Sequence, residues 1–181
     1  MNLNEKTLSG KTIFKGNIIS LHLDEVELPD GNRATREVIT HPGGVCVAAL
    51  TDRDELLFVR QFRYPYKEAL LELPAGKLGA GEDPLECGKR ELMEETGTTA
   101  EHYQPLGQLY PSPGYCGEII HMYYASDLKY GEICPDEDEF LEVERIPLDR
   151  AVDMVLNNQI KDAKTQTAVL KVAEKRRRGQ I

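Results

Sequence analysis

The alternation of apolar and polar residues over the first 40 positions predicts short strands that bury one face. This pattern covers Thr12–Lys15 and Ile18–Leu28, and the segment Pro29–Asn32 indicates a turn. Arg36–Thr40 is predicted to return as the next strand. The N-terminal region therefore predicts a small antiparallel β sheet.

The middle of the chain changes to continuous apolar runs, which are typical of strands buried on both faces. The two clearest runs are Val45–Leu50 and Leu56–Phe62, and Pro74–Gly81 is predicted as a loop. Further strands are predicted at Ala69–Leu73, Gln104–Tyr110, Ile119–Ser126 and Glu142–Ile146.

Three helices are predicted from apolar residues at helical spacing: Pro84–Thr96, Leu148–Asn157 and Ala163–Arg178. Strands and helices mixed in this order predict an α/β fold in which helices cover both faces of a sheet.

The charge composition of the chain argues against some classes of function. The 181 residues include 22 Lys and Arg against 31 Asp and Glu, a formal net charge of −9. A general nucleic-acid binder is therefore not expected, because affinity for phosphate backbones comes from clustered cations. An acidic chain can still act on a phosphate substrate if a metal ion supplies the positive charge.

Nothing in the sequence indicates export or a membrane span. No apolar run approaches the roughly 20 residues that cross a bilayer, and the N-terminus lacks the apolar core of a signal peptide. The four cysteines have no ligand or disulfide spacing and are expected to be free thiols: Cys46, Cys87, Cys116 and Cys134. A cytoplasmic protein is expected.

The helix Pro84–Thr96 has local signals at both ends. Asp83 is a good N-cap, proline fits the first helical position, and Gly97 is a natural stop. Between these ends, Glu91, Glu94 and Glu95 occupy positions i, i+3 and i+4 and share an arc of roughly 100°. Clustered carboxylates on a rigid helix suit Mg²⁺ or Mn²⁺. Taken alone, the same pattern also fits a solvated acidic face.

The wider pattern resembles the Nudix hydrolase signature, G-x5-E-x7-R-E-U-x-E-E-x-G-U, where U is a bulky aliphatic residue. Gly76 and Glu82 match its first two fixed positions, and the run from Arg90 through Gly97 matches the rest. Thr98 stands where the signature has its last aliphatic residue, a position that touches no chemistry. The resemblance implies an α/β/α sandwich with a mixed sheet.

Outer segments resemble the ADP-ribose pyrophosphatase branch of that family. These are Arg60–Arg63, Leu71–Gly76, Arg36–Val38 and Ser112–Gly114, the last placing Pro113 sixteen residues after Gly97. The branch implies an N-terminal β subdomain, residues 1–41, that forms a homodimer by strand exchange, and a Nudix domain, residues 42–181.

Site residues follow from the resemblance position by position. It implies that Glu91, Glu95 and the Ala75 carbonyl bind Mg²⁺, with Mn²⁺ as a substitute, and that Glu94 is a ligand or a catalytic neighbour of the ligands. Gly76, Glu82, Arg90 and Gly97 would have structural roles.

A late acidic loop, residues 135–140, falls where this branch has further catalytic carboxylates. Glu137 is the candidate general base and Glu139 an additional metal ligand. Because four acidic residues are consecutive here, shifting the alignment by one residue would exchange the candidates. The same segment also fits a solvated run of charges. The substrate-binding candidates are Arg36, Arg63, Pro113 and Gly114.

The resulting hypothesis is metal-dependent hydrolysis of ADP-ribose to AMP and ribose 5-phosphate. Alternatives are another nucleoside diphosphate sugar such as GDP-mannose, a dinucleotide such as diadenosine polyphosphate, a cleaner of oxidised nucleoside triphosphates, and a non-catalytic nucleotide-sugar sensor. The N-terminal strands and Ser112–Gly114 disfavour the triphosphate cleaner. All three helix carboxylates are present, although a sensor is free to lose them.

Overall fold

A computed structural model describes residues 2–134 and 140–181 of the chain. It divides into two compact units. The first contains the residues through Gly43 together with Tyr110–Ile119, and the second contains Gly44–Leu109 and Ile120–Ile181. The domain boundary between residues 41 and 42 stays a prediction.

The N-terminal unit is built on a three-stranded antiparallel sheet in the order β1-β2-β3. Its strands are β1 (Lys6–Lys15), β2 (Ser20–Glu27) and β3 (Arg33–Thr40). The predicted turn is present between β2 and β3, where the N–H of Leu28 donates to the carbonyl of Asn32 at 2.8 Å. The predicted small antiparallel sheet is therefore confirmed.

Strand β1 is longer than predicted, and every residue of Lys6–Lys15 is exposed. Its polar first half joins the sheet by backbone pairing with β2, from Lys6 opposite Glu27 onward, so alternation of apolar residues gave no signal there. At the other edge of the sheet, the N–H of Ile39 donates to the carbonyl of Tyr115 at 2.8 Å.

The larger unit has two sheets, in the orders β10-β5-β6 and β7-β4-β9-β8. Strands β4 and β9 are parallel and the other pairs are antiparallel, which makes the second sheet mixed. The strands are β4 (Gly44–Ala49), β5 (Glu55–Arg63), β6 (Glu68–Glu72), β7 (Ala75–Lys77), β8 (Thr98–Leu109), β9 (Ile120–Tyr130) and β10 (Leu141–Pro147).

Three helices complete this unit: α1 (Pro84–Thr96), α2 (Leu148–Leu156) and α3 (Ala163–Arg177). Each lies within one residue of its predicted bounds. None of the helices in the described residues is long and apolar enough to pass through a membrane.

Strand β4 shows why the helices lie on both faces of the sheet. Its residues are all buried, and they alternate between two apolar clusters. Val47 and Ala49 belong to the cluster that contains Leu92 of α1. Cys46 and Ala48 belong to the cluster formed with the inner residues of α2 and α3. The predicted α/β/α sandwich with a mixed sheet is therefore confirmed.

The prediction of an unbroken loop over Pro74–Gly81 is wrong, because β7 lies inside it. Residues Ala75–Lys77 pair antiparallel with the start of β4, with Gly76 opposite Val45. A three-residue strand has no periodicity to detect. The four cysteines, all in the described part of the chain, are free thiols as expected.

Candidate active site

Helix α1 begins and ends where its local signals predict. The side chain of Asp83 accepts hydrogen bonds from the N–H groups of Leu85 at 2.9 Å and Glu86 at 3.2 Å. Gly97 ends the helix with φ 63°, and a Cβ there would lie 2.7 Å from the carbonyl oxygen of Gly131. Both the left-handed conformation and the close approach require glycine.

The three carboxylates of α1 lie in different environments. Glu91 and Glu95 are buried, with 8% and 1% of their surface exposed, whereas Glu94 is half-buried. A solvated acidic face would leave all three in water, since charged side chains are buried only when partnered. Glu91 and Glu95 are therefore not part of a solvated acidic face.

Gly76 allows the Glu91 carboxylate to lie directly against β7. A Cβ added at Gly76 would overlap the carboxyl group of Glu91. The absence of a side chain at this position lets the helix bring its carboxylate to the strand backbone. The structural role predicted for Gly76 is consistent with this contact.

Ala75, one residue earlier in β7, contacts the second buried carboxylate. Its N–H donates to Oε2 of Glu95 at 3.0 Å. The Ala75 peptide thus lies beside Glu95, the residue with which its carbonyl is predicted to share a metal ion. Two carboxylates and the β7 backbone are brought together by one helix and one short strand.

Arg90 connects the carboxylates of α1 to the preceding loop. Its Nη1 lies 2.8 Å from Oε1 of Glu91 and 2.8 Å from Oε2 of Glu94. Its Nε donates to Oε1 of Glu82 at 3.0 Å, and Glu82 also accepts from the N–H of Gly79 at 2.7 Å. Arg90 therefore partly neutralises the acidic helix and fixes the loop before it.

These contacts shift the ionisation of the groups involved. The hydrogen bond from Arg90, followed by the one from Gly79, lowers the pKa of Glu82 from 4.5 to about 2. The hydrogen bond to Glu82 is also the main reason that the pKa of Arg90 is raised. Both members of the pair are therefore charged at neutral pH.

The donor set fits a hard divalent cation. Carboxylate and carbonyl oxygens are the ligands that Mg²⁺ and Mn²⁺ prefer, and Glu91, Glu95 and the Ala75 carbonyl supply them from rigid elements. Within residues 2–134 and 140–181, no three Asp, Glu, His or Cys side chains converge as a ligand cluster. The backbone oxygen of Ala75 is therefore an important part of the predicted set.

A second group of charges lies where β6 ends. The guanidinium of Arg63 forms a two-point pair with Glu72, with Nε 2.6 Å from Oε1 and Nη2 2.8 Å from Oε2. Glu72 is buried and also contacts Lys164 of α3. Burial opposes its charge, but the hydrogen bonds and charges of Arg63 and Lys164 outweigh burial and lower the pKa of Glu72.

Glu72 and Lys164 are not among the site residues predicted from the sequence. A glutamate within an apolar strand was a signal that could have marked Glu72, because such a charge needs a partner. Lys164 lies 92 positions away and gave no comparable signal.

The remaining predicted residues are distributed as follows. Arg36, in the N-terminal unit, donates from Nε to Glu5 at 2.9 Å. Pro113 and Gly114 are exposed in a turn of the same unit, where the N–H of Cys116 donates to the carbonyl of Ser112 at 2.9 Å. Glu137 and Glu139 lie outside the described residues. Thr98 is buried, and its hydroxyl donates to the carbonyl of Thr96.

Two family models match this chain. The NUDIX domain model matches residues 40–168, and the model of the nucleoside diphosphate sugar hydrolase N-terminal domain matches residues 5–39. Together they cover most of the sequence and agree with the resemblance drawn from the signature.

Similar proteins support this assignment. An ADP-ribose pyrophosphatase of Bacillus subtilis (strain 168) is 43% identical over 169 residues, covering 92% of this chain and 91% of its own. A methanol dehydrogenase activator of Bacillus methanolicus is 42% identical over 167 residues, covering 91% and 90%. A crystal structure of an ADP compounds hydrolase superposes with a TM-score of 0.86 at 23% identity, covering both chains fully, which shows the shared fold.

We predict that Gly76→Ala lowers the free energy of unfolding by about 1–3 kcal/mol, because the added methyl group overlaps the Glu91 carboxylate. Urea unfolding measures the change. Gly131→Ala is the matched control, since a Cβ there would lie 3.4 Å from its nearest neighbour, an ordinary contact. Equal stability of the two variants would contradict the close approach of Glu91 to Gly76.

We also predict that the stabilising contribution of Glu82 depends on pH. The pKa of Glu82 is lowered on folding from 4.5 to about 2. Its pairing with Arg90 therefore stabilises the fold fully above pH 4.5, and this stabilisation is lost as the pH falls towards about 2. The difference in unfolding free energy between wild type and Glu82→Gln should shrink over that interval, as measured by urea unfolding at a series of pH values. A difference that stays constant would show that the charge of Glu82 is not what Arg90 binds.

Proposed function

The chain belongs to the Nudix hydrolase family, and from this membership and its site we propose that it hydrolyses the diphosphate bond of ADP-ribose to AMP and ribose 5-phosphate. At the coarser level it is a Nudix hydrolase of nucleoside diphosphate sugars. The observation that carries the proposal is the burial of Glu91 and Glu95 against the β7 backbone. The ADP-ribose substrate is favoured by the 43% identical pyrophosphatase.

The buried carboxylates and the Ala75 carbonyl would bind Mg²⁺, or Mn²⁺ in its place. A bound cation would supply positive charge at the reacting diphosphate bond, in a chain of net charge −9. Glu94 would act beside them, and it is the most accessible of the three carboxylates on α1. Arg90 keeps these acidic groups in place through Glu91, Glu94 and Glu82.

Arg63 would contact a phosphate oxygen of the substrate. Its Nε and Nη2 are used by Glu72, which orients the guanidinium plane, while 37% of the side chain remains exposed. A guanidinium held in this way is preorganised for a second anionic partner. Among the residues outside the described range, Glu137 remains the proposed general base that accepts a proton from water, and Glu139 a further proposed metal ligand.

The N-terminal unit would form the interface of a homodimer. Strand β1 is exposed along its whole length, and its apolar residues Ile13 and Phe14 are more than half exposed. Exposed apolar side chains on an edge strand favour pairing with a second chain. In such a dimer Arg36, Pro113 and Gly114 would contribute to substrate binding. The pairing of Arg36 with Glu5 would then be exchanged for a substrate contact.

We predict that Mg²⁺-dependent hydrolysis, measured as loss of each substrate, is fastest for ADP-ribose in a panel with GDP-mannose, diadenosine polyphosphates and nucleoside triphosphates, and that its products are AMP and ribose 5-phosphate. Glu95→Gln should lower the rate by about a thousandfold, because the charge of a carboxylate proposed to hold the divalent cation is lost. The glutamine oxygen can still accept from the N–H of Ala75, so the fold should persist. Chromatography of the products and circular dichroism measure both effects.

Glu86→Gln is the matched control for this experiment. Glu86 lies on the same helix but is exposed and pairs with Lys89 at 2.7 Å, so its loss should leave the rate unchanged. Faster turnover of GDP-mannose would assign the alternative sugar. Tight binding of ADP-ribose without turnover of any compound would support a sensor, and a near-normal rate for Glu95→Gln would reject the proposed site.

We further predict that the chain sediments at twice its mass of 20.4 kDa. The double variant Ile13→Glu with Phe14→Glu should shift it to the monomer, because charges replace the exposed apolar surface of β1. Lys15→Glu on the same strand is the control and should remain dimeric. A dimer that survives the double variant would place the interface elsewhere.

A further inference from the structure

Four charged side chains, none of them on α1, form an alternating group at the junction of β6 and α3. Glu72 lies between Arg63 and Lys164, and Lys164 also lies 3.0 Å from Oδ1 of Asp162. Two positive and two negative charges are thus arranged in sequence from Arg63 at one end to Asp162 at the other.

The centre of this group is removed from water. Glu72 retains 2% of its side-chain exposure and Lys164 13%. Burial opposes the charge of Lys164, but the charges of Asp162 and Glu72 outweigh it and raise its pKa, so the ammonium is retained. A buried ion pair of this kind is stable only while each member keeps its partners.

Lys164 and Arg63 share one oxygen of Glu72. The Lys164 ammonium and Nη2 of Arg63 both donate to Oε2, while Nε of Arg63 donates to Oε1. Lys164 therefore fixes the position of Oε2, and the plane of the Arg63 guanidinium is oriented by its hydrogen bonds to the same carboxylate. The Nη1 group of Arg63 takes no part in this pair.

The start of α3 also fixes the backbone beside Glu72. The hydroxyl of Thr165 accepts a hydrogen bond from the N–H of Leu73 at 2.9 Å. Asp162 caps the same helix by accepting from the N–H of Thr165 at 2.9 Å. Lys164 thus contacts the side chain of Glu72, and the next residue of α3, Thr165, contacts the backbone of Leu73. Leu73 lies two residues before Ala75.

We propose that Lys164 is a positioning residue for substrate binding, acting through Glu72 to orient the guanidinium of Arg63 towards the substrate diphosphate. The inference rests on the proposed function, in which Arg63 contacts a phosphate oxygen. The Lys164 ammonium contacts Glu72 and Asp162, so its effect would reach the diphosphate through the shared oxygen of Glu72.

The test is a kinetic comparison of Lys164→Gln with Lys164→Arg and Lys161→Gln. We expect Lys164→Gln to raise KM for ADP-ribose by roughly ten- to a hundredfold with a smaller change in kcat, since the binding group is misplaced. Lys164→Arg retains a cation and should restore most of the affinity. Lys161, on the same stretch, pairs with Glu68 near the surface, so Lys161→Gln should behave as wild type.

A double-mutant cycle with Arg63→Gln separates positioning from general structural support. If Lys164 acts through Arg63, Lys164→Gln should change kcat/KM by less than about twofold when Arg63 is already glutamine. An equal loss on both backgrounds, or no loss on the wild-type background, would overturn the proposal. Thermal unfolding identifies variants that are not folded, and Lys164→Met, which fills the same space, then replaces Lys164→Gln in the cycle.

Binding of ADP-ribose in EDTA, measured by calorimetry, repeats the cycle without hydrolysis. Wild-type turnover reports on the proposed function, whereas the ratios of dissociation constants report on Lys164. If ADP-ribose binds but is not hydrolysed, the cycle still decides the positioning role. If the wild type neither binds nor hydrolyses any nucleoside diphosphate sugar, both proposals fail.

Discussion

The contact between the Glu91 carboxylate and the backbone of Gly76 is the constraint on which the rest of the site depends. It brings α1 so close to β7 that a single methyl group would not fit between them. Because β7 pairs with β4, the helix carboxylates are fixed relative to the central strand of the core. A flexible acidic surface could not keep two carboxylates against one short strand, and a divalent cation needs its oxygen ligands in a fixed arrangement.

Two separate sets of contacts hold β7 in place. Arg90 joins α1 to the loop that follows β7, through its bonds to Glu82. On the other side, α3 contacts the end of β6 through Lys164 and the backbone of Leu73 through Thr165. The segment that carries Ala75 and Gly76 is therefore supported at both its ends by charged or hydrogen-bonded helix residues.

Local signals predicted α1 well, because Asp83 and Gly97 specify its ends within the sequence of the helix itself. The buried strands were predicted equally well. Side chains of β4 point alternately into two apolar layers, so the strand contains apolar residues throughout. Contacts that depend on tertiary structure could not be predicted from the sequence. The partnership of Glu72 with Lys164 spans 92 positions, and β7 has three residues whose pairing depends on β4 rather than on their own pattern. The burial that separates Glu91 and Glu95 from Glu94 also follows only from the packed position of α1.

The two charged groups differ in their balance of charge, and the proposed function gives each group a different partner in the reaction. Around α1, Arg90 meets three carboxylates, those of Glu82, Glu91 and Glu94, so negative charge is in excess before Glu95 is counted. The group at the end of β6 pairs two cations with two carboxylates. Under the proposed function, a divalent cation would be attracted to the first group, whereas the second group, in which the charges balance, would present Arg63 to an anion without repelling it. An acidic chain would in this way accept a diphosphate between the proposed cation-binding helix and an oriented arginine.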